Sequence, residues 1–419
     1  MATDGMSFEP MANFSGQELT AAETEELDRD VRAFIEIFPD AFISPPRSGP
    51  LAGLHFAVKE VIDQKGKNTP WGTPLLNGRI PATSASVVSR LEAAGAISIG
   101  TTKSTEFALA GETDVANPWA QGHTPGASSA GSAAAVAAGI VKLALGTQTI
   151  GSIIRPAAYC GVVGFKPTHS VIPNDGMLSL STHLDDVGFL SRSVEIAKSA
   201  FSVFQENQSS ARMTKMAVAK TWFSDGVDMQ ITSAISAVAA RCARFGFRVS
   251  NMEIPKSIGA TEERLLDILL VKELHERHGD FVRHHRAELL PDLVTMIERG
   301  ASVTDEQFSY ALSSRDVIQD LLHKAVDDET VVIAPATVEV APLIGEGTGS
   351  RAPQRLWTLV GWPAITIPVA MGRSETGNRL PIGIQLISRP GTDHALLDTA
   401  INLSQILQRS SNNSEFLYA

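Results

Sequence analysis

Two short stretches concentrate serine and glycine: Gly126-Ala127-Ser128-Ser129-Ala130-Gly131-Ser132, and Gly151-Ser152 followed by Ile153-Ile154-Arg155-Pro156. Glycine lets backbone N–H groups come close to a ligand, and a serine in such a turn can serve as a nucleophile beside an oxyanion hole. A serine hydroxyl attacks well only when a base removes its proton. Histidine is the usual base, but none stands in comparable local surroundings. Lysine can replace it where burial disfavours the ammonium form. Lys59 closes the apolar run Leu54-His55-Phe56-Ala57-Val58, so a strand would carry it inward. Each of these residues also has a plainer use. Lys59 can pair with Glu60 or Asp63, the three serines can cap helices, and Arg155 is either half of an ion pair or a fork for a substrate carboxylate.

These residues need elements to hold them. Residues 1–26 read as a loosely held arm, and Leu27 to Ile37 has helical spacing. A linker rich in Pro, Gly and Ser, Ser44 to Gly53, leads into the strand that ends at Lys59. Ala85 to Ala94 reads as a helix with Ser84 as its N-cap, and Ala96 to Gly100 as a buried strand, a βα alternation typical of α/β proteins. Ser132 to Ala138 is helical and so rich in alanine that another element must pack closely on it. Gly161 to Phe165 is a strand. Charge and helical period rise from about 228 to 330, clearest in Arg264 to Arg286 and Asp305 to Asp327. Strands return at Val331 to Pro335, Ala364 to Val369 and Ile382 to Ile387. One sheet assembled from distant segments, with a helical insertion, follows from this order.

The totals narrow the classes of function. A chain of 419 residues with 43% hydrophobic and 19% charged residues is a globular protein of ordinary composition. Its net charge of -11 argues against nucleic acid or an anionic membrane as the main partner. Cys160 and Cys242 make no disulfide framework, which points to a reduced, cytoplasmic location. Met1 to Glu26 is polar and acidic, without the pattern of a signal peptide. Ala133 to Leu145 is the most apolar stretch, but Gly139 and Lys142 interrupt it and it is too short to span a bilayer. His275-Glu276-Arg277-His278 has the wrong spacing for a zinc helix and, with His284 and His285, reads as a solvated helix face.

The blocks around the candidate residues resemble the amidase signature family. Its Gly/Ser-rich block corresponds to Gly126–Ser132, and its Leu-Gly-Thr-Asp-Thr-Gly-Gly-Ser block to Leu145-Gly146-Thr147-Gln148-Thr149-Ile150-Gly151-Ser152. Val58-Lys59-Glu60-Val61-Ile62-Asp63, Pro156-Ala157-Ala158-Tyr159-Cys160-Gly161, Phe165-Lys166-Pro167-Thr168, Leu184-Asp185-Asp186-Val187-Gly188 and Gly361-Trp362-Pro363-Ala364 match in order, over roughly residues 50–400. The resemblance implies an α/β fold with a large central mixed β-sheet flanked by helices. An N-terminal helical arm would occupy 1–50, and a single domain 51–415 with the helical insertion at about 228–330. It implies a Ser–Ser–Lys triad: Ser152 as nucleophile, Ser128 as bridging serine after a cis peptide from Ala127, and Lys59 as base. The N–H groups of Thr149, Ile150, Gly151 and Ser152 would form the oxyanion hole, with Ser129 and Arg155 at the substrate. The implied reaction turns a small-molecule amide into carboxylate and ammonia through an acyl-enzyme, with no metal or organic cofactor.

The chain departs from the pattern at three places. Ile150 and Ala127 stand where glycine is usual, and Gln148 where Asp is common. A β-branched residue resists positive φ and takes space beside the substrate. Gln148 and the Ser152–Arg155 spacing look most like the malonamidase branch, as does the run Leu356-Trp357-Thr358-Leu359. There the arginine binds a substrate carboxylate, so malonamate is the first specific expectation. Two other readings stand beside it: an ammonia-releasing component of a multi-chain amidotransferase, and a catalytically impaired homologue that binds a ligand because of Ile150. Cys160 is expected as a small buried residue and Asp185 as structural. The Pro342 to Pro353 loop either borders the substrate entrance or is ordinary surface, and the apolar helical insertion suggests a homodimer.

Overall fold

The computed structural model describes residues 18–45, 47–206 and 212–408. The part of the expected arm before residue 18 lies outside the described residues. The strands are β1 (Phe34–Ile37), β2 (His55–Lys59), β3 (Ile97–Thr102), β4 (Leu143–Gln148), β5 (Val163–Lys166), β6 (Asp186–Ser191), β7 (Lys215–Lys220), β8 (Arg248–Glu253), β9 (Thr330–Pro335), β10 (Ala364–Arg373) and β11 (Arg379–Ile387). Among the described residues they join into one sheet in the order β1-β3-β2-β4-β6-β5-β10-β11-β9-β7-β8. β2 runs parallel to β3 and β4, and β7 parallel to β8 and β9. The other pairs are antiparallel. The mixed sheet flanked by helices is therefore the architecture, with helical crossovers such as Ser86–Ala93 serving the parallel pairs.

Both faces of the central strands are buried, and side chains alternate between them. Phe56 and Val58 on β2, with Leu143 and Leu145 on β4, join one apolar cluster. Ala57 and Ala144 join a second cluster on the other side. That second layer is the helix Ala130–Ala137, every residue of which is buried. Its small side chains allow the close approach that the alanine content called for. Gly131 shows how close: a Cβ there would sit 2.4 Å from the Ala33 carbonyl oxygen and 2.6 Å from the Lys103 nitrogen.

Three local expectations need correction. The helical spacing of Leu27 to Ile37 stops at Val31, because Arg32 turns left-handed at φ 56 and the Asp28 carboxylate accepts the N–H groups of Ala33 (2.7 Å) and Phe34 (3.3 Å). Phe34–Ile37 then pairs with β3 as a strand. Ser84 caps no helix; its hydroxyl accepts from the Lys65 N–H, and Asp175 takes the N–H and hydroxyl of Ser86 instead. The stretch from 228 to 330 is not purely helical, since β8 lies within it. β8 is an edge strand whose side chains are mostly exposed, so it lacks the apolar alternation that reveals a strand.

Candidate active site

β2 ends at Lys59, and its parallel pairing with β4 brings Thr147 alongside. Lys59 is fully buried; its Nζ lies 2.7 Å from Ser128 Oγ and 2.9 Å from Thr147 Oγ1. Burial pushes the Lys59 ammonium down to about 7, against a smaller upward pull from the carboxylates of Glu60 and Asp185. The ion pair with Glu60 or Asp63 does not form. Glu60 accepts the N–H groups of Gly72 and Ser104, and Asp63 pairs with Arg79 at 2.6 Å.

Ser128 follows a cis peptide bond from Ala127. The next residue ties the two serine turns together, since the Ser129 N–H donates to the Ser152 carbonyl at 3.3 Å. Ser128 and Ser152 line one cavity of about 410 Å³, with Thr149, Ile150 and Arg155 beside them. Gly347, Thr348, Gly349 and Arg351 supply the facing rim, so the Pro342 to Pro353 loop does border this cavity. Ser129, expected at the substrate, lies elsewhere. It is fully buried, and its hydroxyl bonds the backbone of Thr147, bracing the start of the alanine helix against β4.

The turn from Thr149 to Ile153 joins β4 to the helix Ile154–Cys160. Gln148 Oε1 accepts the N–H groups of Ile153 (3.0 Å) and Ile154 (3.1 Å), doing for this helix what a capping carboxylate would. Its Nε2 donates to Thr358 Oγ1 at 3.2 Å, and Thr358 Oγ1 donates to the Ile150 carbonyl at 2.7 Å. Thr149 Oγ1 donates to Asp185 at 2.7 Å, while Asp185 also accepts from Leu180 and Ser181 and is lifted by burial to about 6. Ile150 is not among the non-glycine residues with positive φ, so its β-branch meets no left-handed strain. Ile150 is one of the residues that line the cavity.

Arg155 makes no ion pair among the described residues. Its guanidinium donates to the carbonyl oxygens of Gly349 (2.6 Å) and Ala127 (2.9 Å), and its Nε is buried without a partner. Burial and the nearby Arg351 cation push it down to about 10. The histidine cluster is a correction in part: Glu276, Arg277 and His284 are exposed as a solvated face requires, but two of the histidines turn inward. His275 and His278 are half-buried and separately bonded to the carbonyls of Ile297 and Ser179, and His278 packs edge-on to Trp71 and Phe107. Among the described residues no group of three or more His, Cys, Asp and Glu could hold a metal ion. None of the described helices is long and apolar enough to cross a membrane.

A family model described as Amidase matches residues 39–397. The chain belongs to the amidase signature family. It is 31% identical to the A subunit of the glutamyl-tRNA(Gln) amidotransferase of Anaeromyxobacter dehalogenans, over 86% of this chain and 84% of that protein. The A subunit of the glutamyl-tRNA(Gln) amidotransferase of Thermotoga maritima superposes with a TM-score of 0.79 at 25% identity, covering 93% of this chain and 90% of the other. The peptide amidase of Stenotrophomonas maltophilia superposes with a TM-score of 0.76 at 26% identity, covering 92% and 91%. Like its amidase family, the chain is an enzyme of amide chemistry.

Sequence reasoning missed four residues that surround this candidate site. Thr147 meets Lys59 only through the parallel register of β2 and β4, which the linear order does not state. Arg351, Gln354 and Thr358 come from the distant helix Ala352–Leu359 and the residue before it. The run containing Thr358 carries a resemblance, but no local spacing assigns it a contact. Gln354 abuts the turn from behind: a Cβ on Gly151 would lie 2.7 Å from its Oε1, so a side chain there would have to displace the Gln354 amide.

Proposed function

We propose that this chain hydrolyses a small carboxamide to carboxylate and ammonia through an acyl-enzyme on Ser152. Neutral Lys59 takes the proton of Ser128 as Ser128 takes that of Ser152, and Ser152 Oγ bonds to the amide carbon. The N–H groups of Thr149, Ile150, Gly151 and Ser152 meet the charge that develops on the carbonyl oxygen. Protonated Lys59 returns its proton through Ser128 to the amide nitrogen, the C–N bond breaks, and ammonia leaves. Water then adds to the ester by the same relay and releases the carboxylate. The observation that carries this reading is a fully buried lysine amine 2.7 Å from Ser128 Oγ, with Ser128 and Ser152 on the wall of one cavity.

The substrate in this reading is an amide that also bears a carboxylate, such as malonamate. Arg155 and Arg351 both line the cavity, and among the described residues neither pairs with an acid; the nearby Glu262 and Glu263 pair with Arg355. Arg351 lowers the proton affinity of Arg155, and an anion between the two guanidinium groups would relieve that repulsion. The resemblance of Gln148 and of the Ser152–Arg155 spacing to the malonamidase-like branch supports this choice of substrate. The amidotransferase A subunits among the relatives favour a second reading, in which the chain releases ammonia only with partner chains. The two buried free cysteines accord with a cytoplasmic location. The exposed Tyr310, Val317 and Leu321 on the helix Asp305–Ala325 accord with pairing of two copies.

Ammonia release by the purified chain from malonamate and from propionamide tests the reading. Arg155→Ala should raise KM for malonamate about tenfold or more and leave propionamide nearly unchanged, the loss of a charged hydrogen bond. Equal losses on both amides would sink the carboxylate fork. Activity that appears only after partner chains are added would favour the second reading.

A further inference from the structure

Gln148 and Ile150 are two departures from the family pattern, and the fold joins them through one hydroxyl. We infer that Gln148 and Thr358 are positioning residues that hold the Ile150–Gly151 peptide in the orientation the oxyanion hole needs. This inference rests on the hydrolytic reading above.

Thr358 Oγ1 has one proton to give, and the Ile150 carbonyl takes it at 2.7 Å. The Gln148 amide N–H fills the acceptor side of the same hydroxyl at 3.2 Å, which fixes the direction of the Thr358 donor. The other end of the Gln148 amide is fixed as well, because its oxygen accepts the N–H groups of Ile153 and Ile154. Gln148 and Thr358 are both buried, so water does not compete for these bonds. One side chain thus spans the turn and grips it on both sides of Gly151-Ser152.

The trans peptide is planar, so its C=O and N–H point in opposite directions. Drawing the Ile150 oxygen toward Thr358 turns the Gly151 N–H away from the helix Ala352–Leu359. Gln354 closes the same flank, its Oε1 against Gly151. A usual glycine at position 150 would bring its own freedom to this peptide. Isoleucine narrows that freedom, and the latch selects the plane that remains. An Asp at 148, the commoner residue, has no N–H to offer Thr358, so its hydroxyl proton would be drawn to the carboxylate rather than to Ile150.

The test compares Thr358→Val, Thr358→Ser and Gln148→Glu with the wild-type chain, scoring ammonia release and the rate of fluorophosphonate labelling at Ser152. Thr358→Val should lower kcat and the labelling rate by roughly 10- to 100-fold with KM within about threefold, the signature of a lost transition-state contact. Thr358→Ser should recover most of the loss. Gln148→Glu keeps the acceptors for Ile153 and Ile154 but captures the Thr358 proton, so it should behave like Thr358→Val while unfolding at a similar denaturant midpoint. Equal losses in Thr358→Val and Thr358→Ser, or a raised KM with kcat intact, would overturn the latch. So would full activity in Gln148→Glu. Failure of the hydrolytic reading looks different: the wild-type chain itself would then take no label at Ser152. In that event hydrogen exchange of the Gly151 amide decides, since Thr358→Val must speed it if the latch holds the turn and leave it unchanged if it does not.

Discussion

The amine at position 59 has no solvent around it, and its proton affinity follows from that. With the ammonium pushed down to about 7, a large share of Lys59 is already the base form at neutral pH. The expected profile of kcat/KM therefore rises as pH passes through about 7 and levels above it. A flat profile from pH 6 to 9 would show that some other group takes the proton. Lys59→Ala should lower kcat by roughly 10²- to 10⁴-fold, the usual worth of a positioned base. Stability gives an independent check. An unfolded lysine keeps its proton to about pH 10.4, whereas the folded one loses it near 7. Between these values the unfolded state binds more protons, so folding stability contributed by this residue rises with pH. Urea midpoints of the wild-type chain minus those of Lys59→Met should climb from pH 7 to pH 9; a constant difference would contradict a buried, neutral amine.

At the scale of elements, the site depends on how tightly the alanine helix presses against β4, against Ala33 just before β1 and against Lys103 just after β3. Gly131→Ala would set a methyl against the Ala33 carbonyl and the Lys103 nitrogen, and Ala134→Leu would force a branched side chain into a fully buried position. Each should cost about 1–3 kcal/mol by overpacking, read as a lower urea midpoint with an unchanged slope. Unaltered midpoints would mean that the layer is looser than the structure has it. The same elements show what the sequence discloses. β2 and β9 were legible because their apolar runs are buried on both faces. β8 was not, because an edge strand with exposed side chains has no apolar period. β1 was masked by helical spacing, and only the left-handed Arg32 and the Asp28 carboxylate, which are tertiary details, end the preceding helix.

Across the whole molecule, residues far apart in the chain meet around one cavity: Ser128, Ser152 and Arg351 line it, while Lys59 and Thr358 stand behind Ser128 and Ile150. Lys59, Ser128 and Ser152 come from the first half, and their place was readable because three blocks recur in order. Arg351, Gln354 and Thr358 come from the last fifth, and nothing in local spacing links them to Ser152. Only the sheet order, with β4 and β6 central and β10 beyond β5, folds that helix back onto the turn. With both halves in one chain, the purified protein should release ammonia unaided at a rate proportional to its concentration. A requirement for partner chains would shift the account to the amidotransferase reading. The most direct measurement is to quench the enzyme in acid while it turns over an amide, then map peptides by mass. The account predicts the acyl group on Ser152 alone, with no acylated peptide and no turnover in Ser152→Ala. An acyl group on any other residue, or undiminished turnover in Ser152→Ala, would contradict it.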